Sequence, residues 1–496
     1  MVTPASSFPD PGLFPPPTIA VARHPAVMLS PRQLKNWVGE LPLANPTRAA
    51  NEVLQQLRLL VRDPDPGKHF GTLLDLFAAP LEALLETVEE RLQTNPDNAI
   101  PLDQLEYQLI ECLAELAAGY IRIANDHILQ GKRPTVEMLY RAMSAMQRGL
   151  HIKRLHYHQR TMTCWSNQLR IFLHAENQGV STQAVKPPVR RDNEPTTIRE
   201  LFFSSLMVCL TDPNHRRPAE IIEWTQWAAA NANLLELSLL PQGAAAIPLD
   251  ISGEMPPLSG ARQAKPGPDT RYLDTTRFMQ AAKNDTPGLH RALTELVKGR
   301  RQSEQRKSTR QPRQQPYRLV FGMREMYQRL NALTRGLEPS EQQYATEAVQ
   351  VNQSRDGAAF VLHGQPAAPL SVGEPVLAEA GTQNARGAPV GFTAIVQRFL
   401  NIDGEGFEIG VEKMRGRLIP VMIQNTTAER NQLDPHALLQ QDTETGRYLL
   451  LAARGWFRAD DHINVEGPSA RYRLRLVRMA SEMLHTTRIE VEISEG

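Results

Sequence analysis

Two short stretches of the chain combine residue types able to grip a polar, phosphorylated ligand. The first is Val349-Gln350-Val351-Asn352-Gln353-Ser354-Arg355-Asp356-Gly357. Its Asn and Ser side chains can bond their own backbone, and Gly permits turn conformations closed to other residues. Such a turn also offers outward amides and hydroxyls. The second is the run from Lys298 to Arg318, which carries Lys298, Arg300, Arg301, Arg306, Lys307, Arg310, Arg313 and Arg318 against the single acid Glu304. Arginine forks can hold an anion bidentately. Taken alone, the turn also reads as an ordinary hairpin and the basic run as a solvated linker or acidic-surface patch.

The elements around the turn are β in character. Tyr344, Ala348 and Val351 lie in a strand-like run before it, and Ala359-Phe360-Val361-Leu362 forms another behind. Leu370–Leu377 and Gly391–Leu400 read as further strands. The turn Asp403-Gly404-Glu405-Gly406 follows, and Phe407–Met414 alternates apolar and polar residues with the period of a half-buried strand. This ordered set resembles a PilZ domain, the small β-barrel that binds cyclic di-GMP in bacteria. One family signature is Asp or Asn, any residue, Ser, two of any kind, then Gly, and it stands here as Asn352, Ser354 and Gly357. The other is Arg-x-x-x-Arg ahead of the first barrel strand, matched by Arg306 and Arg310, with Tyr317–Gly322 as that strand.

The resemblance spans roughly residues 306–425. It implies that Arg306 and Arg310 clamp phosphate and base, that Asn352 and Ser354 contact a guanine or its surroundings, and that Gly357 permits the turn. Arg300, Arg301 and Arg313 are further cations able to take either arginine's place. The two signatures stand further apart than is usual in the family, and a helix expected over Met323–Leu333 absorbs the difference. A barrel of this family that has lost the nucleotide and serves as a protein–protein scaffold is the alternative reading.

A Pro-rich arm, expected to be extended or disordered, covers 1–43. A helical domain covers 44–240, its apolar residues spaced at i, i+3, i+4 and i+7, as in Leu81, Leu84, Leu85 and Val88. Helices are expected at 135–150, 150–176, 197–211 and 217–236, packed as a bundle or solenoid-like stack. A Pro/Gly-rich connection with one more helix, Phe278 to Val297, fills 241–297. The basic arm and PilZ-like antiparallel barrel occupy 298–425, and a C-terminal β-extension occupies 426–496. There Tyr448–Ala453, His462–Val465, Tyr472–Val477 and Arg488–Ile493 read as strands, the last two with Arg473, Arg475, Glu490 and Glu492 on the outward face, where a ladder of opposite charges suits an antiparallel pair. The fold class is therefore α+β multidomain.

Several function classes find no support. The chain balances 55 basic against 54 acidic residues, so no global field draws it to nucleic acid or membrane. The basic run lacks the interleaved aromatics of single-strand binders. No apolar stretch approaches the ~18–20 residues of a membrane span. Cys112, Cys164 and Cys209 are widely spaced in apolar segments, which suits a reducing cytoplasm. His151, His156 and His158 crowd one segment without a completing carboxylate or thiol, so no metal is assigned. Trp224 and Trp227 share a helix face and are read as inter-helix packing before partner docking. There is no phosphate-binding Gly loop, no nucleophile elbow and no acid–base pair in a recognisable setting. The expectation is a cytoplasmic, non-enzymatic receptor without cofactor or metal, its ligand cyclic di-GMP and its helical domain free for an unidentified protein partner.

Overall fold

The computed structural model describes residues 13–15, 17–94, 103–158, 162–187, 189, 195–242, 246–251, 267, 269–301, 311–336, 345–362, 370–383, 389–402, 406–424, 433–441, 446–483 and 485–494. The chain divides into two compact units, Met1–Gln305 and Arg306–Gly496.

The first unit is mainly helical. Helix α1 (Pro31–Gly39) falls within the segment expected to be an extended arm. Ser30 caps it, Pro31 opens it, and Leu34 is buried, so the prolines here start a helix instead of preventing one. Then come α2 (Pro46–Val61), α3 (Phe70–Asp75), α4 (Ala78–Thr94) and α5 (Gln104–Leu129). α5 opens on a capping box in which Asp103 and Glu106 satisfy each other's backbone N–H groups. Its apolar stripe is wide enough to bury Leu105, Leu109, Cys112, Leu113 and Ile121.

Next are α6 (Val136–Leu155), α7 (Met162–Gln178), α8 (Ile198–Leu210) and α9 (Pro218–Asn231). The helix expected over 150–176 is thus two pieces. α6 ends where Tyr157 takes φ 57°, a left-handed conformation no helix can carry through. The Tyr157 hydroxyl donates to the carbonyl of Arg216 (3.0 Å).

A small antiparallel sheet, β1 (Glu236–Ser238), β2 (Ala246–Asp250) and β3 (Thr270–Asp274), in the order β1-β3-β2, begins at the end of the expected helical domain and runs into the segment from 241 expected as connection. Ile247, Leu249 and Leu273 are its buried apolar residues, a pattern obscured in the sequence by the surrounding prolines. The single helix expected over Phe278–Val297 is instead α10 (Thr276–Asp285) and α11 (Pro287–Arg301). Pro287 supplies the break, since it has no N–H to give α10 and suits the first turn of a new helix.

The histidines and tryptophans of this unit serve packing. His151 Nε2 lies 3.1 Å from Glu89 and His156 Nε2 3.2 Å from Glu106, each pair largely buried. Trp224 is buried beneath the Arg216 guanidinium, 5.0 Å from its ring centre. Trp227 meets Phe278 edge-on at 4.9 Å and donates to Asp285 (3.3 Å).

The second unit contains two closed, six-stranded antiparallel barrels. The first uses β4 (Gln311–Phe321), β5 (Ala345–Gln353), β6 (Gly357–Leu362), β7 (Pro375–Gln383), β8 (Pro389–Ile402) and β9 (Gly406–Lys413), in the order β4-β5-β6-β9-β8-β7. The strand foreseen from Tyr317 already begins at Gln311. A bulge between Pro312 and Gln315 lets the proline-containing stretch join the ladder. Helix α12 (Met323–Thr334) is inserted between β4 and β5, as its apolar spacing predicted.

The second barrel uses β10 (Arg417–Gln424), β11 (His436–Gln441), β12 (Tyr448–Ala453), β13 (His462–Glu466), β14 (Arg471–Glu482) and β15 (Thr486–Ser494). The expected extension is therefore a complete barrel whose first strand starts inside the segment read as the first one. Trp456, fully buried, sits in its core with Val421, Leu439, Leu450 and Ile489. β14 and β15 pair antiparallel and carry opposite charges across the ladder. Arg475 lies opposite Glu492 and bonds it (2.6 Å), but a bulge after Leu476 brings Arg478, not Arg473, to Glu490. Met323 and Met326 of α12 join Val320 and Leu377 of the first barrel to Leu438 and Leu451 of the second in one apolar cluster.

Candidate functional site

The turn between β5 and β6 is held by its own polar atoms. The backbone N–H of Ser354 donates to the carbonyl of Gly357 (2.8 Å), and the Gly357 N–H donates to Ser354 Oγ (3.1 Å). Ser354 thus closes the loop from inside, the local bonding that favours Ser in turns. Gly357 is required for a different reason than torsional freedom. A Cβ placed on it would stand 2.8 Å from the carbonyl oxygen of Val411 on β9, closer than a carbon can approach. Asn352 pairs across to Pro312, which has no N–H to offer the ladder.

β9 secures the other side of the turn. The Lys413 backbone N–H donates to the carbonyl of Asp356 (2.8 Å), and Lys413 Nζ donates to the carbonyl of Ser354 (3.2 Å). Arg415 donates to the Asp356 carboxylate (2.8 Å). The Lys413 ammonium also lies 4.8 Å from the centre of the Phe392 ring. Phe392, half-buried, is backed by Phe360 (6.2 Å, stacked) and Tyr317 (6.1 Å, edge-on). Burial lowers the Lys413 pKa, the neighbouring Arg313 charge lowers it further, and Asp356 offsets part of the effect. Burial raises the Tyr317 pKa, with Arg313 acting against it.

Of the five residues singled out by sequence, Asn352, Ser354 and Gly357 share this turn. Arg306 and Arg310 lie outside the described residues. The strand that follows them is nevertheless placed: Gln311 lies opposite Gln353 and Pro312 opposite Asn352. Arg313, in the bulge, is exposed. Sequence reasoning named Arg313 only as a substitute cation and passed over Lys413 and Phe392. Both arrive through the β7-β8-β9 register, and a strand ending in Lys has many bland explanations. Among the described residues no group of His, Cys, Asp and Glu is arranged to hold a metal, and no helix is long and apolar enough to cross a membrane.

Residues 32–242 match the family model described as the N-terminal domain of the cyclic-di-GMP receptor FimW. The match falls within the helical unit, and what it names is a receptor. No curated protein matches the chain. The two antiparallel six-stranded barrels beyond it are consistent with a PilZ-like barrel.

Proposed function

We propose that the protein is a non-enzymatic cytoplasmic receptor that binds cyclic di-GMP at the β5–β6 turn of its first barrel, read as a PilZ domain. The observation that carries this reading is the pairing of Gln311 with Gln353. It starts the strand that follows Arg310 beside the turn bearing Asn352 and Ser354. In this reading Arg306 and Arg310 clamp a phosphate and a guanine face. Asn352 and Ser354 contact the other guanine or its surroundings, and Gly357 keeps the turn close to β9. The match of the helical unit to a receptor domain supports the same ligand.

The basic arm joins α11 to β4 in the chain, so ligand contacts made through the arm would link nucleotide binding to the helical unit and its protein partner. That is a population shift whose lever is contacts made only in the ligand-bound arrangement. Calorimetric titration of the full chain with cyclic di-GMP, beside Asn352→Ala/Ser354→Ala, tests the reading. Saturable binding weakened by the double substitution supports it. A wild-type chain that takes up no ligand contradicts it and leaves the barrels as a protein–protein scaffold.

A further inference from the structure

The first barrel brings two cations together at the turn that neither motif supplies. Arg313 stands in the β4 bulge, next to the pairing of Pro312 with Asn352. Lys413 ends β9, opposite Ala394 of β8. Its ammonium uses one donor on the Ser354 carbonyl and turns toward the Phe392 ring, leaving further N–H groups to direct elsewhere. The two thus flank one turn, Arg313 beside Asn352 and Lys413 against Ser354, and the Arg313 charge lowers the Lys413 pKa. Asp356, which eases the repulsion, is already bonded by Arg415. Two like charges on either side of one turn, Lys413 half-buried and Arg313 exposed, favour an arriving anion. Phe392 next to them has a half-buried ring backed by two further aromatics, and such a ring is a platform for a base.

We propose that Arg313 and Lys413 form a phosphate-binding pair of their own at this end of the barrel, with Phe392 as the adjoining platform for a purine. The pair rests on the receptor reading and adds to it a set of contacts separate from Arg306 and Arg310. Lys413 in addition ties the Ser354 carbonyl to β9, so a purely structural role must be separable from ligand contact. Lys413→Met keeps an unbranched side chain of similar length and removes the charge. Lys413→Arg keeps the charge.

The test is calorimetric titration of the full chain with cyclic di-GMP, run on wild type, Lys413→Met, Lys413→Arg, Arg313→Gln and Phe392→Leu, with thermal melting of each. Lys413→Met and Arg313→Gln should each weaken binding by about tenfold or more, the usual effect of losing a hydrogen bond to a charged group. Phe392→Leu should weaken it by a comparable factor through lost stacking. Lys413→Arg should bind nearly as wild type, and the melting temperatures of the binding-impaired variants should stay close to it. Should Lys413→Met fail to fold, Arg313→Gln, which touches no turn carbonyl, decides the matter. Unchanged affinity in Arg313→Gln and Lys413→Met, with binding lost in Arg306→Ala/Arg310→Ala, would overturn the pair and leave the receptor reading standing. No binding by wild type would remove both.

Discussion

Gln311 lies directly opposite Gln353 in the β4–β5 ladder, so the residue after Arg310 begins at the turn that carries Asn352 and Ser354. Forty-odd residues separate the two motifs in sequence, and α12 takes up 12 of them without parting β4 from β5. The helix is also not idle. Its Met323 and Met326 fill the apolar cluster shared by the two barrels, so the insertion that lengthens the spacing fastens one barrel to the other.

The tight approach at Gly357 gives a direct stability test. Gly357→Ala puts a methyl carbon where Val411 O leaves only 2.8 Å, so β6 and β9 must separate or the turn must rearrange. Overpacking of this kind costs about 1–3 kcal/mol. Urea unfolding should show the loss in the transition of the barrel unit, and an unshifted transition would mean that the turn yields freely.

Asp434 ties α12 to the second barrel and gives the unit an acid-sensitive contact. Burial works against its charge, but the backbone N–H (3.0 Å) and Nδ1 (2.5 Å) of His436, with Arg324 at 3.3 Å, hold its pKa below the ordinary carboxylate value. A depressed carboxylate contributes stability that is present above its unfolded pKa, about 3.9, and lost as pH falls through the folded value. Asp434→Asn should therefore be less stable than wild type at neutral pH. The gap should close as pH drops below about 4. Denaturation curves at pH 7 and pH 3 measure it, and a gap independent of pH would assign the contact to hydrogen bonding alone.

Cys112 should be chemically silent in the native protein. Burial pushes its thiol far above the ordinary range, although Arg58 pulls the other way, and Sγ donates to the carbonyl of Ala50 (3.5 Å). Thiolate reagents at neutral pH should leave it unmodified until denaturant is added. Mass spectrometry of the labelled chain locates the modified residues, and rapid native labelling of Cys112 would contradict its place in the α5 core.

The parts of this molecule legible in the sequence are those with local causes. The Asn352–Gly357 turn announced itself because each residue suits a turn, and α12 because Met326, Leu330 and Leu333 recur at helical spacing. The closure of the second barrel was not legible, because it depends on β10 meeting β13 and β12 meeting β15 across long separations. Nor was the break at Tyr157, whose left-handed backbone and hydroxyl bond to the Arg216 carbonyl have no mark in the neighbouring sequence. Lys413 and Phe392 are the instructive omissions. Nothing beside them in the chain marks them, and they gain meaning only when the strand register sets Lys413 against Ser354 and the Phe392 ring.

The most direct test of the central claim is isothermal titration of the full chain with cyclic di-GMP, compared with Arg306→Ala/Arg310→Ala. The account predicts saturable binding at micromolar concentration or tighter in wild type, weakened on the order of a hundredfold or more when both arginine forks are removed. A wild-type chain that releases no heat and shows no binding by equilibrium dialysis would contradict it.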